Sequence, residues 1–158
     1  MSLEAIGTIF IILFLSAAAA VAVNTGFTLV KINSLEQDIV TVRMQTQSMF
    51  ANSTDYSGLD NARAIKVGLV PKNLQKGNGI AHAFGGSITL SANDSNASFT
   101  IDLEELPLVA CVQLAKFQPD AWYSISVNGA ALEPETPVMD IVENCNIGNV
   151  NQIVFEAR

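Results

Sequence analysis

Few residues in this sequence carry reactive or ligating side chains, and their spacing limits what they can do. Cys111 and Cys145 are the only cysteines. Neither belongs to a CxxC pair, so dithiol redox chemistry lacks its motif. An even count in a chain with an export-type apolar segment favours a disulfide, the alternative being two unrelated buried thiols. Closing a loop of that length would stabilise the fold by about 3–4 kcal/mol. His82 is the sole histidine. With no Cys, Asp or Glu at ligand spacing, it reads as a surface or loop histidine rather than a metal ligand. Asp102, Glu104 and Glu105 bring acids together, but at a strand end they read as solvated. Gly85-Gly86 is too short for a phosphate loop and reads as a turn. Asn52-Ser53-Thr54, Asn93-Asp94-Ser95 and Asn96-Ala97-Ser98 match the glycosylation acceptor pattern, each inside a polar turn where chance matches arise. There is no GxSxG or related nucleophile motif. The reading is a non-enzyme with no catalytic residue, no metal and no cofactor.

Glu4 stands apart because it heads a long uncharged run. From Ala5 to Val30 no residue is charged, and residues 5–23 hold only Thr8 and Ser16 as polar side chains. About 20 apolar residues suffice to cross a bilayer core. A cleaved secretory signal would begin with a basic region, yet the first basic residue is Lys31. A carboxylate heading such a helix costs roughly 2.5–3.5 kcal/mol at the bilayer centre, so it needs a partner there. At the water interface it sits favourably beside the positive helix N-terminus. Both placements fit Glu4 at different moments: interfacial in a membrane, paired with a neighbour's terminal amine in an assembly.

The elements that would position these residues divide the chain in two. Beyond Asn24 the helical pattern continues, with Ile32, Leu35, Ile39, Val42 and Met49 at core spacing and charged residues between them. No proline interrupts Met1 to Phe50. The pattern predicts one helix over residues 1–50, about 75 Å long, apolar all round in its first half and amphipathic in its second. Residues 1–30 are its membrane or filament-core segment, and residues 51–158 form a globular head. Gly7, Gly26 and the small run Ala17–Ala20 would permit close helix approach or local unwinding.

The head reads as α+β, an antiparallel β-sheet packed on the second half of the helix. After a turn-rich stretch, a short helix covers Asp60 to Val67, closed by Gly68, and Lys76-Gly77-Asn78-Gly79 is a turn. Ser87–Ser91 and Ser98–Leu103 alternate as a hairpin. Glu104 to Phe117 reads as a helix with Pro107 in its first turn and Leu108, Cys111, Val112 and Ala115 on one face. Trp122–Val127 and Ala130–Leu132 flank Asn128-Gly129, a strong hairpin signal. A short helix over Met139 to Asn144 presents Cys145, and Asn151 to Glu156 is the last strand.

Composition narrows function further. The chain has 158 residues and a net charge of −7, with a mean hydropathy of +0.34. Its eight basic residues are scattered along the sequence, whereas nucleic-acid binding needs a concentrated cationic patch. Nucleic acid is therefore not a partner.

The opening Met1-Ser2-Leu3-Glu4 before an uncharged helix resembles the mature N-terminus of type IV pilins. The head is similar to the type IVb branch, especially bundle-forming and thin conjugative-type pilins. That likeness rests on Tyr56-Ser57-Gly58-Leu59 running to Gly68-Leu69-Val70-Pro71, on Ala83-Phe84-Gly85-Gly86, and on Ala110-Cys111-Val112-Gln113-Leu114 with Cys145 near the end. The resemblance implies a major pilin that polymerises with itself into a helical, extracellular filament serving adhesion, aggregation or conjugative contact. It implies a stage in the bacterial inner membrane, a basic leader cut by a prepilin peptidase, a methylated N-terminus and a pilus assembly machinery as partner. Met1 would be the mature first residue or the start of an expressed form. Glu4, one position earlier than the family's usual glutamate, would neutralise a neighbour's terminal amine. Ile6, Ile9, Phe10, Leu13 and Phe14 would pack in the filament core, and Cys111 and Cys145 would bound an exposed disulfide region. The rivals are a minor pilin or tip adhesin, a secretion-system pseudopilin, and a membrane-anchored binding module that never polymerises.

Overall fold

The computed structural model describes the backbone of residues 3–158 and the side chains of residues 26–158. Helix α1 runs from Leu3 to Phe50. Along its described side chains, Ile32, Leu35, Ile39, Val42 and Thr46 recur every three or four residues and are buried against the head. Met49, expected to extend that stripe, is 52% exposed. There the helix reaches the rim of the head, and Met49 lines an open cleft with Phe50, Leu59, Ala64, Val67 and Leu69.

Polar contacts fasten α1 at intervals. The Arg43 guanidinium donates to the Ala121 carbonyl at 2.9 Å and lies 4.5 Å from the centre of the Trp122 ring. Gln47 donates to the Arg158 carbonyl, and Asn73 donates to the Asp38 carboxylate at 2.7 Å. Past the helix end, Phe50, Tyr56 and Phe99 form a chain of ring contacts at 5.2 and 4.9 Å, which carries the turn back onto the core.

Helix α2, Asn61–Lys66, is capped by Asp60, whose carboxylate accepts from the Arg63 amide at 2.8 Å. Gly68 ends it at φ +81, a left-handed value that glycine adopts without a Cβ penalty. The expected turn at Gly77-Asn78 joins a small hairpin, β1 (Gln75–Lys76) and β2 (Gly79–Ile80).

Five further strands make one antiparallel sheet. They are β3 (Ile88–Ala92), β4 (Phe99–Leu106), β5 (Ser124–Val127), β6 (Ala130–Leu132) and β7 (Asn151–Ala157), in the order β3-β4-β7-β5-β6. The last strand of the chain therefore lies at the centre. Alternation sends Leu90, Phe99, Ile101, Leu103, Ile153 and Phe155 into the core. The opposite face carries hydroxyls and carboxylates. Glu156 accepts from Ser98, Ser124 and Asn93, and Gln152 donates to Asp102 at 2.8 Å. Asn61 closes the exposed edge of β3, donating to the Ile88 carbonyl at 2.9 Å and accepting from the Leu90 amide at 2.7 Å.

Two local expectations are corrected. Glu104 to Leu106 is strand rather than helix, and helix α3 spans Leu108–Ala115 behind Pro107. Proline holds its predecessor extended, and the Glu104 amide is committed to the Ser87 carbonyl at 3.0 Å. A register shift between Leu103 and Leu106, with Glu105 at φ +57, absorbs the extra residue as a bulge. The buried face of α3 is Ala110, Cys111, Leu114 and Ala115, while Leu108 is exposed. Helix α4 covers Val138–Asn144, and only Ile141 along it is buried.

Candidate assembly surfaces

Among the described residues no group of three or more His, Cys, Asp or Glu is placed to hold a metal. The exposed surface carries large apolar side chains. On α1, Phe27, Leu29 and Val30 all face solvent, Phe27 with 64% of its surface free. They precede Ile32, the first described side chain of the helix that the head buries. The end of the helix next to the apolar run thus presents large apolar side chains to whatever adjoins it, a pattern typical of interaction sites.

The charged residues are sorted by the topology. Four of the eight basic residues lie on the β3 side of the head, while Arg43 and Arg158 stack on Trp122 and Tyr123 ahead of β5 and Lys116 lines a cavity with Glu133. Arg63, Lys66, Lys72 and Lys76 are exposed on α2, the following turn and β1; α2 and β2, the partner of β1, pack beside β3 at one sheet edge, and Arg63 is paired with Asp60 at 3.2 Å. No acid occurs between Asp60 and Asp94. Beside Arg63 the apolar cleft of about 480 Å³ opens at Met49 and Val67. At the other sheet edge, Glu133 and Glu135 follow β6, and α4 adds Asp140 and Glu143, all four exposed. From Asp94 to Glu156, Lys116 is the only basic residue. Here the exposed apolar residues are Val138 and Met139, the latter 68% free.

The acidic flank is held in place by the cystine. Cys111 on α3 and Cys145 at the end of α4 are joined, with their Cα atoms 5.9 Å apart and both residues fully buried. The adjoining segment is tied by an amide network. Asn128, at φ +49 in its tight turn, donates to the Asn144 carbonyl at 2.7 Å and to Asn151 at 3.0 Å. Asn151 in turn donates to the Leu106 carbonyl. The Asn-Gly hairpin signal is thus also a clamp on the disulfide region, a role its turn propensity does not reveal.

Of the residues singled out in the sequence, Cys111 and Cys145 are brought together. Met1, Glu4, Ile6, Ile9, Phe10, Leu13 and Phe14 lie outside the residues whose side chains are described. No helix among the described residues is long and apolar enough to cross a membrane. Asp102 is half-buried rather than solvated, and burial pushes its carboxyl above the ordinary range against the lowering effect of Gln152. His82 lies in a loop, one of the two places expected, but not at the surface: it is only 1% exposed, because its ring fills the space between the 81–87 loop and β4 and bonds both.

The fold has a solved counterpart. The chain resembles TcpA, a type IV pilin from Vibrio cholerae El Tor biotype, with a TM-score of 0.60 at 15% identity, covering 81% of this chain and 99% of that one. No curated protein matches the chain in sequence. A family described as PilS N terminal matches residues 29–158, which takes in the head-docked part of α1, the whole sheet and both cysteines. With a matching family over most of its length and the pilin architecture of a helix laid across an antiparallel sheet, the chain belongs to the PilS N-terminal family and carries the type IV pilin fold.

Proposed function

We propose that the chain is the major subunit of an extracellular type IV pilus. One observation carries this reading: the uncharged run Ala5–Val30 and the head-docked stretch from Ile32 to Thr46 belong to a single helix, α1. A lone membrane anchor needs no rigid continuation, whereas a subunit that is pulled from the bilayer and keeps its head aligned does. Residues 1–50 act as the assembly helix, residues 1–30 as its membrane and filament-core segment, and residues 51–158 as the head. Ile6, Ile9, Phe10, Leu13 and Phe14 exchange lipid for neighbouring helices, with burial worth about 25 cal/mol per Å² of apolar surface. Glu4 pairs with the terminal amine at Met1 of an adjacent subunit.

The placement of Arg63 and Lys66 at one sheet edge and of Glu133, Glu135, Asp140 and Glu143 at the other supports self-association. A basic flank with an apolar cleft and an acidic flank with an apolar projection suit a head-to-tail contact between copies. Such contacts are heterologous and propagate into open helical filaments. Before assembly the subunit resides in the bacterial inner membrane, where a prepilin peptidase and the assembly machinery act on it. Fibres sheared from producing cells, imaged by cryo-electron microscopy with mass spectrometry of the N-terminus, test the proposal. Fibres made chiefly of this chain are expected, and Glu4→Ala is expected to abolish them. A chain present only as a trace of the fibre is a minor pilin. A chain that stays monomeric in the membrane with the machinery present overturns the reading.

A further inference from the structure

His82 is wired on both ring nitrogens. Nε2 lies 2.7 Å from the Glu104 carbonyl, and the Phe84 amide donates to Nδ1 at 3.2 Å. Only one arrangement satisfies both: a neutral imidazole whose Nε2–H donates and whose bare Nδ1 accepts. The 81–87 loop is folded around this ring. The His82 amide donates to the Gly86 carbonyl and the Gly85 amide to the His82 carbonyl, each at 3.0 Å. Gly86 is pressed so close that an added Cβ would overlap the Glu104 carbonyl and lie 2.5 Å from His82 Nε2.

The ring therefore ties the loop to the bulge of β4 at Glu104 and Glu105. The same loop reaches α1 through Phe84, whose ring centre lies 5.7 Å from the Lys31 ammonium. Lys31 immediately precedes the first buried position of the helix described by the structure, Ile32. The charged groups around the imidazole are Lys31 and Asp38 on α1, Lys76 on β1, and Glu104 and Glu105 on β4. Burial is the largest influence and holds the imidazole below its ordinary value, against the raising effects of the Glu104 carbonyl and the Glu105 charge.

We propose that neutral His82 is a pH-operated latch, which clamps the 81–87 loop to the β4 bulge and to α1 and is released when Nδ1 takes a proton. The added proton points at the Phe84 N–H, turning the acceptor of that bond into a second donor. The charged ring must then reach solvent, and the loop leaves with it, withdrawing Phe84 from Lys31. The direction follows from linkage. A histidine depressed on folding stabilises the fold above its unfolded value of 6.5. That contribution is lost as the pH falls below it, through the folded value. The latch lies within the head and does not depend on the filament reading.

The test is an NMR titration of the full chain in detergent micelles from about pH 7.5 to about 4.5, a range spanning the ordinary histidine value, following the His82 ring and amide protection factors. His82 is expected to titrate below 6.5, with protection at Phe84 and Gly85 falling at least tenfold over the same interval while Ile153 and Phe155 stay protected. H82Q is expected to remove the pH dependence of Phe84 protection, and the wild-type titration decides alone if that variant does not fold. Titration at or above 6.5, or protonation that leaves Phe84 and Gly85 protected, overturns the latch.

Discussion

Replacing Cys111 and Cys145 together by alanine tests how the acidic flank is held. Helix α4 has one buried side chain, Ile141, and Pro137 at its N-cap offers no capping side-chain bond. Its attachment to α3 therefore depends heavily on the covalent link. The cystine spans 34 residues, and the chain-entropy relation assigns a loop of that size about 3.8 kcal/mol at 25 °C. With a urea dependence of about 2 kcal/mol per molar for a domain this size, the unfolding midpoint should fall by about 2 M. Trp122 is the only tryptophan and packs 4.7 Å from Phe155 on the central strand, so its fluorescence reports loss of the core. The assay is urea unfolding of the full chain in micelles, for wild type, reduced wild type and the double variant. Reduction and double substitution should give equal shifts within about 1 kcal/mol, because both remove the same constraint on the unfolded chain. A midpoint shift below about 0.5 M, roughly 1 kcal/mol, would refute the claim that the bridge holds this flank.

Three further outcomes are expected. Arg43→Ala removes both the bond to the Ala121 carbonyl and the stacking on Trp122, and should lower stability by about 1–2 kcal/mol in the same unfolding assay. Asp140→Lys with Glu143→Lys should cut sheared fibre yield at least tenfold, the worth of about 1.4 kcal/mol in subunit affinity. Adding Arg63→Glu and Lys66→Glu should restore part of it, and an unchanged yield in the first variant removes the edge pairing. Asp102 is held above its ordinary range chiefly by burial, so its protonation on acidification favours the folded state. Asp102→Asn should match or exceed wild-type stability at neutral pH and lack the gain Asp102 gives wild type as the pH falls through the carboxylate range; urea midpoints at both ends of that range check it.

Much of the architecture was legible in the chain because local signals agreed with tertiary demand. Ile32, Leu35, Ile39 and Val42 mark the docked face of α1 by spacing alone, since about 3.6 residues per turn leaves one stripe to bury. Asn128-Gly129 names its turn because both residues adopt positive φ, at +49 and +84, where other residues are strained. The stretch Glu104 to Leu106 misled for the converse reason. Its composition suits a helix, but neighbours on both sides claim its backbone groups, and hydrogen bonds between distant segments outweigh a propensity of tenths of a kcal/mol. The loop position of His82 was legible but its burial was not, because solvent exposure is a property of what packs around a residue.

The sequence by itself determined the period of each element, the turns that separate them, the uncharged helix start and the two cysteines available for a bridge. These depend on neighbours a few positions away, where steric and hydrogen-bonding preferences are local. Tertiary structure alone decided that the last strand is central, that Cys111 meets Cys145, and that Arg63 and Lys66 on α2 lie at the opposite sheet edge from Glu133 and Glu135 after β6. It also closed the 81–87 loop on a buried imidazole. Each of these joins residues far apart in the chain, and the free energy that selects them comes from shared burial and pairing that no single segment possesses.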